Sequence, residues 1–354
     1  MGNLRYDFAR LRTGFFLSGI RDRYVRQRRI PPPVLVVWDC SRRCNLHCAH
    51  CGASKEHYGR ELTTEQISGL IDELARMRVR MLAATGGEPL LRKDLLEVLA
   101  YAHKRGLRTG IATNGFLIDD AAARRIREAR VYSVQVSLDG LEGTHNAIRN
   151  HADSFSRAVR GIERLIRQRI PMVSVATTAL PQNIHELAGM RRLLVDLGVK
   201  LWRLAVVMPI GRAEAAGIAL DGRQLASLLE FVRDSNREGL RTYIGENLTF
   251  LGEWEKRVRD EPLICPIGFT ACCIGVDGHV RGCPEQPDTA ENREGSVLEV
   301  PFGQIWQRGF GRYRTGEVLV TDEDCSACED NDSCRGGCWV MRENGSHCIR
   351  RWLA

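Results

Sequence analysis

The chain has 354 residues, of which 44% are hydrophobic and 27% are charged, and its formal net charge is +7. This length accommodates one large domain and a smaller appended module, and the composition is typical of a globular protein. No apolar stretch approaches the roughly 20 residues of a membrane-spanning helix, and the apolar residues near the start are too few for a signal peptide. We therefore expect a cytoplasmic protein.

Residues 1–33 form a basic segment ahead of the first predicted strand. Within residues 1–30, eight arginines and two aspartates give a charge of 8 − 2 = +6. Apolar residues recur there at helical spacing, at Leu4, Phe8, Leu11 and Phe15. The pattern predicts an amphipathic helix whose arginines face water and which ends before Pro31. An acidic peptide, a nucleic acid or a membrane surface could use such a face, although most basic helices are only solvated.

Between residues 34 and 215, short β-rich runs alternate with helical stretches, which is the pattern of a parallel sheet with right-handed crossovers. The six predicted strands are residues 34–39, 80–85, 107–113, 132–138, 171–178 and 200–207. The first helix is well marked, because Thr63 and Gln66 can form a capping box. An apolar stripe follows it, at Ile67, Leu70, Ile71 and Leu74. These six units predict an α/β fold, a partial (β/α)6 barrel related to the TIM barrel, with reactive groups at the carboxyl ends of its strands.

Three cysteines, Cys44, Cys48 and Cys51, follow the first predicted strand. Thiolates this close together suit iron-sulfur or zinc chemistry better than a hard cation that prefers oxygen. Since four thiolates would complete a [4Fe-4S] cubane, three leave one iron open to an exchangeable ligand. A zinc loop or a set of buried thiols is the alternative interpretation of this motif.

The next three predicted strands also end in short motifs. Residues 85–89 read Thr-Gly-Gly-Glu-Pro, where the glycines allow close approach of the backbone and Glu88 can meet an ammonium group. Residues 113–115 read Thr-Asn-Gly and residues 137–140 read Ser-Leu-Asp-Gly, both of which also form ordinary turns. Because parallel strands end at one edge, we expect these motifs to lie near the loop that carries Cys44, Cys48 and Cys51, which we call the cysteine loop.

Together, the run from Arg43 to Cys51 and these loops resemble the radical S-adenosylmethionine (AdoMet) enzymes over residues 34–215. The resemblance implies a [4Fe-4S] cluster that binds AdoMet, reductive cleavage to a 5′-deoxyadenosyl radical, and abstraction of a substrate hydrogen. One departure is His50, where many members carry an aromatic residue. For Arg149, contact with the AdoMet carboxylate and a surface role are both open. The AdoMet-binding residues that the resemblance implies are Gly86, Gly87, Glu88, Thr113, Ser137, Asp139 and Arg149.

Residues 216–260 read as a helical linker with packing positions at Leu225, Leu228, Leu229 and Phe231. Residues 261–354 contain nine cysteines, a density that implies metal cross-linking of a weak core. Gly278-x4-Cys283, together with the motif that runs from Cys325 through Cys328 and Cys334 to Cys338, resembles the SPASM extension of radical AdoMet enzymes. A structural zinc ribbon is the alternative for the second motif.

The SPASM resemblance implies two auxiliary [4Fe-4S] clusters, and therefore three clusters in all. One would be held by Cys265, Cys272, Cys283 and Cys338, and the other by Cys325, Cys328, Cys334 and Cys348. Within this family, the spacing of mycofactocin maturases favours Cys272 over its neighbour Cys273, although Cys273 stays open as the ligand. Cys40 and Cys273 are then left as buried thiols.

An oxidative reaction needs a proton acceptor, and Glu285 is the acidic side chain nearest in sequence to an auxiliary cluster ligand. A solvated loop glutamate is the ordinary alternative. The resemblance also implies an external electron donor of the flavodoxin or ferredoxin type, and auxiliary clusters that relay electrons.

The substrate is the least determined feature. Family members modify ribosomally made peptides, sulfatase side chains, tetrapyrroles or small carbohydrates, and we favour a precursor peptide that is oxidised, cross-linked or decarboxylated. The residues before the barrel are too few for a peptide-recognition domain, so a separate recognition protein or the basic helix would bind it. The alternatives are a haem precursor or small anionic metabolite met by Arg203 and Arg212, and a non-catalytic nucleic-acid module.

Overall fold

The computed structural model describes residues 4–27, 29–52, 60–235, 239–245, 247–248, 250–315, 325, 327–330, 334, 336–343 and 348–353. Seven parallel strands lie side by side in chain order at its centre. They are β1 (Leu35–Ser41), β2 (Met81–Gly86), β3 (Arg108–Thr113), β4 (Ser133–Ser137), β5 (Met172–Ala179), β6 (Leu201–Val206) and β7 (Arg241–Ile244). The six predicted strands are confirmed to within two residues at each end, and with them the α/β fold class.

Helices connect these strands. They are α1 (Leu4–Gln27), α2 (Thr64–Arg76), α3 (Leu95–Lys104), α4 (Asp120–Glu128), α5 (Glu142–Arg149), α6 (Ser154–Arg167), α7 (Leu187–Asp196), α8 (Arg212–Ala216), α9 (Gly222–Ser235) and α10 (Glu255–Val258). The capping box of α2 is present, with Thr63 accepting from the Gln66 amide and the Gln66 side chain accepting from the Thr63 amide. Its predicted apolar stripe is buried, so amphipathic patterning explains how this helix docks.

The strands separate an apolar side from a more polar side by simple alternation. In β4, Val134 and Val136 are fully buried, whereas Ser133, Gln135 and Ser137 stay partly accessible. The buried strand residues and the buried helix residues belong to one hydrophobic cluster. The opposite face of the sheet therefore carries the small and polar side chains that can line a reaction chamber.

The expectation of only helix and connection in residues 216–260 is wrong at β7. This strand pairs in parallel with β6, from Leu201 opposite Arg241 to Leu204 opposite Ile244. It is only four residues long and follows a strongly periodic helix, so its sequence pattern was too short to stand out.

The cysteine-rich part of the chain begins by extending the same sheet. β8 (Ala271–Ile274) pairs in parallel with β1, and β9 (His279–Arg281) and β10 (Gly295–Ser296) continue antiparallel beyond it. Four helices follow, α11 (Phe302–Arg308), α12 (Gly311–Thr315), α13 (Trp339–Glu343) and α14 (Ile349–Leu353). Phe302 and Trp306 belong to the main hydrophobic cluster, so this region shares the barrel's core instead of building its own.

The first helix packs along the outside of this assembly. Its buried stripe is formed by Tyr6, Ala9, Leu17, Ile20 and Tyr24. The predicted stripe fell on Leu4, Phe8, Leu11 and Phe15, whose side chains lie outside the described part of the structure. No helix in the described ranges is both long and apolar enough to cross a membrane.

Candidate active site at the carboxyl edge of the sheet

The structure brings most of the residues predicted to bind AdoMet and its cluster to one cavity of about 190 Å³ at the carboxyl ends of β1–β4. Cys44, Cys48 and Cys51 all line it. Among the other predicted residues, Gly86, Gly87, Thr113, Ser137 and Arg149 also line it. Parallel strands that end at a common edge account for this convergence of residues from four separate loops.

The cysteine loop lies directly on the backbone of Gly86 and Gly87. The Gly87 amide donates to the Ser41 carbonyl at 2.7 Å, and the Glu88 amide donates to the Arg43 carbonyl at 2.8 Å. A Cβ atom at Gly86 would clash with the Ser41 carbonyl oxygen, and one at Gly87 would clash with that of Arg43. Glycine is needed here because any side chain would push the cysteine loop away from the end of β2.

Glu88 lies behind the cavity wall, and its carboxylate joins β2 to β3. It accepts hydrogen bonds from the Thr113 hydroxyl at 2.7 Å, the Asn114 amide at 2.8 Å and the Leu90 amide at 3.1 Å. The side chain is fully buried, and burial raises the pKa of its carboxyl while these donors oppose the rise. In this structure the carboxylate fixes the end of β3.

The carboxylate of Asp139, just after β4, is also engaged by neighbouring protein groups. Its Oδ2 lies 2.5 Å from Nη2 of Arg149 and 3.5 Å from Nε2 of His50, and its Oδ1 accepts the Thr178 amide at 2.8 Å. Burial would raise the pKa of Asp139, but Arg149 outweighs this and holds it below the usual range. Arg149 also donates to the Cys48 sulfur at 3.6 Å, so this buried ion pair sets a positive charge beside a cavity cysteine.

Two histidines next to this ion pair are kept neutral. Burial lowers the pKa of His50 and of His145 to about 4, against the opposing pull of Asp139. The Nδ1 atom of His145 accepts the Asp139 amide at 2.9 Å, a role that requires an unprotonated nitrogen. The loop after β4 therefore depends on a neutral imidazole.

Two arginines that the sequence patterns did not connect with AdoMet also line the cavity. Arg212 donates from Nε to the Cys48 carbonyl at 2.8 Å, and its amide donates to the Cys51 carbonyl at 3.2 Å. Arg42 pairs with the buried Asp39 at 2.8 Å, and Arg281 of β9 reaches the same carboxylate at 3.5 Å. Asp39 is a buried carboxylate near the end of the otherwise apolar β1, shortly before the cysteine loop, a position that could have marked it as functional.

Glu285 comes from the cysteine-rich region and reaches the far side of the cysteine loop. Its Oε2 would lie 3.5 Å from a Cβ atom placed on Gly52, the residue after Cys51. Burial by the surrounding protein raises the pKa of its carboxyl, and Arg203 and Arg281 lower it.

The other predicted cysteine ligands form two groups away from the cavity. Cys283 has Cys265 and Cys338 as electrostatic neighbours, and Cys334 has Cys325, Cys328 and Cys348. These groupings match the division that the SPASM resemblance implies for seven of the eight cysteines.

The eighth cysteine is one of two neighbours, because Cys272 and Cys273 are consecutive in β8 and face opposite sides of the sheet. Cys272 lies near Arg314 and Glu294, whereas Cys273 lies near Arg281 and Asp39. Both are almost completely buried, as is Cys40. The choice of Cys272 as a cluster ligand therefore stays a prediction.

The residues present fit an iron-sulfur cofactor better than a single metal ion. Within the described ranges, no three His, Cys, Asp or Glu side chains converge closely enough to hold one ion. A cluster spreads its thiolate ligands further apart than one ion does, and all three cavity ligands are the soft sulfurs that iron-sulfur clusters use. The backbone of Gly86 and Gly87 lines the same cavity as these three cysteines.

Comparison with known proteins identifies this region. The family model described as the Radical SAM superfamily matches residues 38–194. An AdoMet-dependent heme synthase of Nitratidesulfovibrio vulgaris is 28% identical over 338 residues, covering 89% of this chain and 90% of that protein. The mycofactocin maturase MftC of Mycolicibacterium smegmatis is 28% identical over 325 residues, covering 89% of this chain and 80% of that protein.

Solved structures share the fold at lower identity. Streptococcus suis SuiB bound to S-adenosylmethionine superposes with a TM-score of 0.75 at 16% identity, covering 92% of this chain and 78% of SuiB. SuiB bound to its precursor peptide SuiA gives a TM-score of 0.73.

Proposed function

The chain carries a radical SAM domain and is an enzyme of that superfamily, and on this premise we propose that it cleaves AdoMet reductively to oxidise a peptide. The observation that carries the proposal is the cavity shared by Cys44, Cys48, Cys51 and the backbone of Gly86 and Gly87. Three thiolates beside a glycine backbone suit a cluster that has one iron without a cysteine ligand, to which AdoMet can bind.

When bound, AdoMet and its [4Fe-4S] cluster supply a carbon-centred radical after one-electron reduction, and the auxiliary clusters supply one-electron acceptors. Cys44, Cys48 and Cys51 would hold the first cluster. Thr113, Ser137 and Arg149 would bind AdoMet together with the two glycines. Glu88 and Asp139 would contribute by holding the end of β3 and the Arg149 side chain, since their carboxylates are already engaged in the wall.

The peptide substrate is supported by relatives. MftC is named as a maturase, and SuiB has been solved with a precursor peptide. The basic helix α1 or a separate recognition protein would bind the part of the peptide outside the cavity. Oxidation then needs a base near the substrate, and Glu285, whose carboxylate lies beside Gly52, would accept the proton.

A second candidate substrate is an anionic haem precursor. The named heme synthase aligns over nearly its whole length. Arg212 lines the cavity, and Arg203 of β6 lowers the pKa of the Glu285 carboxyl through its positive charge. Arginines in these positions suit the carboxylates of a tetrapyrrole as well as the terminus of a peptide.

AdoMet cleavage tests the core of the proposal. Anaerobically reconstituted protein reduced with dithionite should form 5′-deoxyadenosine, and the triple variant Cys44→Ser, Cys48→Ser, Cys51→Ser should form none because no cluster can assemble in the cavity. Cys40→Ser changes a buried thiol on β1 and is the matched control. Undiminished 5′-deoxyadenosine from the triple variant would refute the assignment.

Substrate class is tested by isotope transfer. Deuterated candidate peptides and a deuterated iron-porphyrin carboxylate are supplied in separate reactions, and deuterium is measured in the 5′-deoxyadenosine. Transfer from a peptide supports the leading proposal, whereas transfer from the porphyrin alone favours the second candidate.

For Glu285, the expected effect is on product formation. Glu285→Gln should lower the rate of substrate oxidation by about 10²- to 10⁴-fold, because it removes a positioned base. Formation of 5′-deoxyadenosine should persist, since the side chain does not hold the cluster. Glu291→Gln, an exposed glutamate of the same segment, should retain the native rate. Full product formation by Glu285→Gln would exclude the assigned role.

A further inference from the structure

The carboxylate of Asp39 is shared by two arginines that come from different parts of the protein. Arg42, which lines the active-site cavity, pairs with Oδ2 of Asp39 at 2.8 Å. Arg281, the last residue of β9, reaches the same oxygen at 3.5 Å. The other carboxylate oxygen, Oδ1, lies 2.9 Å from the position of a Cβ atom on Gly86, in the cavity wall. Asp39 therefore stands between the cavity and the cysteine-rich region.

The register of the sheet explains how Arg281 reaches β1. Cys273 of β8 pairs with Val37 of β1 on one side and with Arg281 of β9 on the other. Residues in one such row point to the same face of the sheet, and Asp39, two residues after Val37, points to that face as well. The Arg281 side chain therefore crosses β8 to meet Asp39. Because Arg281 is only 1% exposed and Asp39 only 3%, water screens their attraction weakly.

Arg281 also holds the turn that carries Cys283 and Glu285. Its Nη1 donates to the Gln286 carbonyl at 2.5 Å. The Gln286 side chain in turn accepts the Cys283 amide at 3.2 Å, and the Gln286 amide donates to the Cys283 carbonyl at 3.2 Å. These bonds close residues 283–286 into a turn, which we call the Glu285 turn. One guanidinium therefore ties the Glu285 turn to β1.

We propose that Asp39 is a positioning residue that aligns the Glu285 turn with the active-site cavity. This inference rests on the proposed function, in which Glu285 accepts a proton from the substrate. In this role Asp39 acts through Arg281 and not on the substrate. Since a displacement of about 1 Å can lower a rate by about 10²-fold, loss of the link should slow proton removal much more than AdoMet cleavage.

The charge of Asp39, and not only its shape, is needed for this arrangement. Two guanidinium groups lie within 3.5 Å of one carboxylate oxygen, so they face each other across a single negative charge. Without that charge the two cations would repel each other in a region shielded from water. We therefore expect Arg281 to move away from β1 in the variant Asp39→Asn and to take the Glu285 turn with it.

Hydrogen exchange of the full-length protein before iron is added tests the link without a substrate. In Asp39→Asn, the Cys283 and Gln286 amides that close the Glu285 turn should exchange on the order of tenfold faster. Amides of β4 should keep their native rates. The matched control is Asp277→Asn, which removes a partly buried, ion-paired carboxylate from the turn between β8 and β9 and should leave all these amides unchanged.

Catalysis provides a second readout, with the peptide or porphyrin that transfers deuterium in the isotope experiment as substrate. At saturating AdoMet, Asp39→Asn should lower substrate oxidation by about 10²-fold while 5′-deoxyadenosine still forms at the native rate. Arg281→Gln should give the same loss. The double variant should lose no more than either single variant, because the two side chains act through one link. A loss of packing alone would instead lower both products together, and the single effects would add.

Unchanged exchange of the Cys283 and Gln286 amides in Asp39→Asn would overturn the inference, as would equal acceleration in Asp277→Asn or additive losses in the double variant. If Asp39→Asn does not fold, Arg281→Lys replaces it. Its ammonium keeps a charge beside Asp39 but cannot also bond the Gln286 carbonyl, so the same acceleration is expected. Native protein that forms no 5′-deoxyadenosine with dithionite would refute the proposed function, whereas the exchange result for Asp39 would still stand.

Discussion

The protein has two cysteine-containing regions that are held in different ways. Around the first, hydrogen bonds connect residues far apart in sequence, since Ala49 donates to the Ile148 carbonyl at 2.9 Å and Arg212 donates to the Cys48 carbonyl at 2.8 Å. In the second, the described part of residues 325–353, the backbone bonds of the cysteines are local, such as those from Cys334 to Asp330 at 2.8 Å and from Arg342 to Cys338 at 3.0 Å.

This difference shows which interactions order the backbone of each region. The first loop is bonded to the ends of strands and helices of the barrel, so the protein fold positions its thiolates in advance. The second region is tied to the body at a few points, including Trp339 stacked on Tyr313 at 4.4 Å and Trp352 donating to the Leu220 carbonyl at 2.9 Å. Metal ligation must supply much of the remaining order there.

The largest effect should come from removing one predicted ligand of an auxiliary cluster, because only the second region should then lose order. Cys334→Ser should lose roughly four iron atoms per chain, the content of one cluster, and the stabilisation lost locally should be on the order of 10 kcal/mol by analogy with structural metal sites. Iron analysis measures the loss of the cluster. Hydrogen exchange should be faster in residues 348–353 and unchanged in β2. Cys40→Ser should keep all its iron. Equal loss of protection in β2 would contradict the separation of the two regions.

The prearranged loop should be sensitive to a single methyl group. Gly87→Ala should destabilise the protein by about 4 kcal/mol, because the new Cβ clashes with the Arg43 carbonyl, a backbone atom that cannot move alone. Thermal unfolding of the metal-free protein measures this. Gly143→Ala, in α5 with open space around it, should instead stabilise by about 0.5–1 kcal/mol. Equal melting temperatures for the two variants would show that the contact is not rigid.

Acid should weaken the barrel site through its neutral histidines. Unfolded histidines bind a proton near pH 6.5, whereas folded His50 and His145 do so only near pH 4. Between these values the unfolded state binds more protons, so stability falls as the pH falls. From pH 7 to pH 5 the loss should be about 2 kcal/mol for each histidine. Below this range, protonation of Asp139, whose folded pKa is lowered, removes further stability.

Denaturant unfolding at both pH values provides the measurement. His145→Asn keeps an acceptor for the Asp139 amide but cannot titrate, so this variant should show about half the loss. A native protein equally stable at pH 7 and pH 5 would mean that these imidazoles are more accessible to water than the structure shows.

Much of the barrel could be predicted from residue patterns because its elements are long and periodic. The six strands and the capped helix α2 follow from alternation and helical spacing, and the strand-end rule brought Cys44, Gly86 and Ser137 to one cavity. β7 was not predicted because its four residues are too few to show a strand-like alternation. β8 was not predicted because Cys272 and Cys273 were weighed only as a cluster ligand and a spare thiol, although together they occupy a buried strand.

The sequence by itself determined the chemistry of this protein: the thiolate set, the glycine pair and the order of strands, each written in consecutive residues. The tertiary structure alone decided which carboxylates lie beside the cysteine loop and which are engaged in the cavity wall, because burial and pairing depend on contacts between distant segments. Glu88 and Asp139 hold the wall, and Glu285 reaches Gly52 from the other end of the chain. No local pattern encodes these contacts, since each joins residues ten or more positions apart.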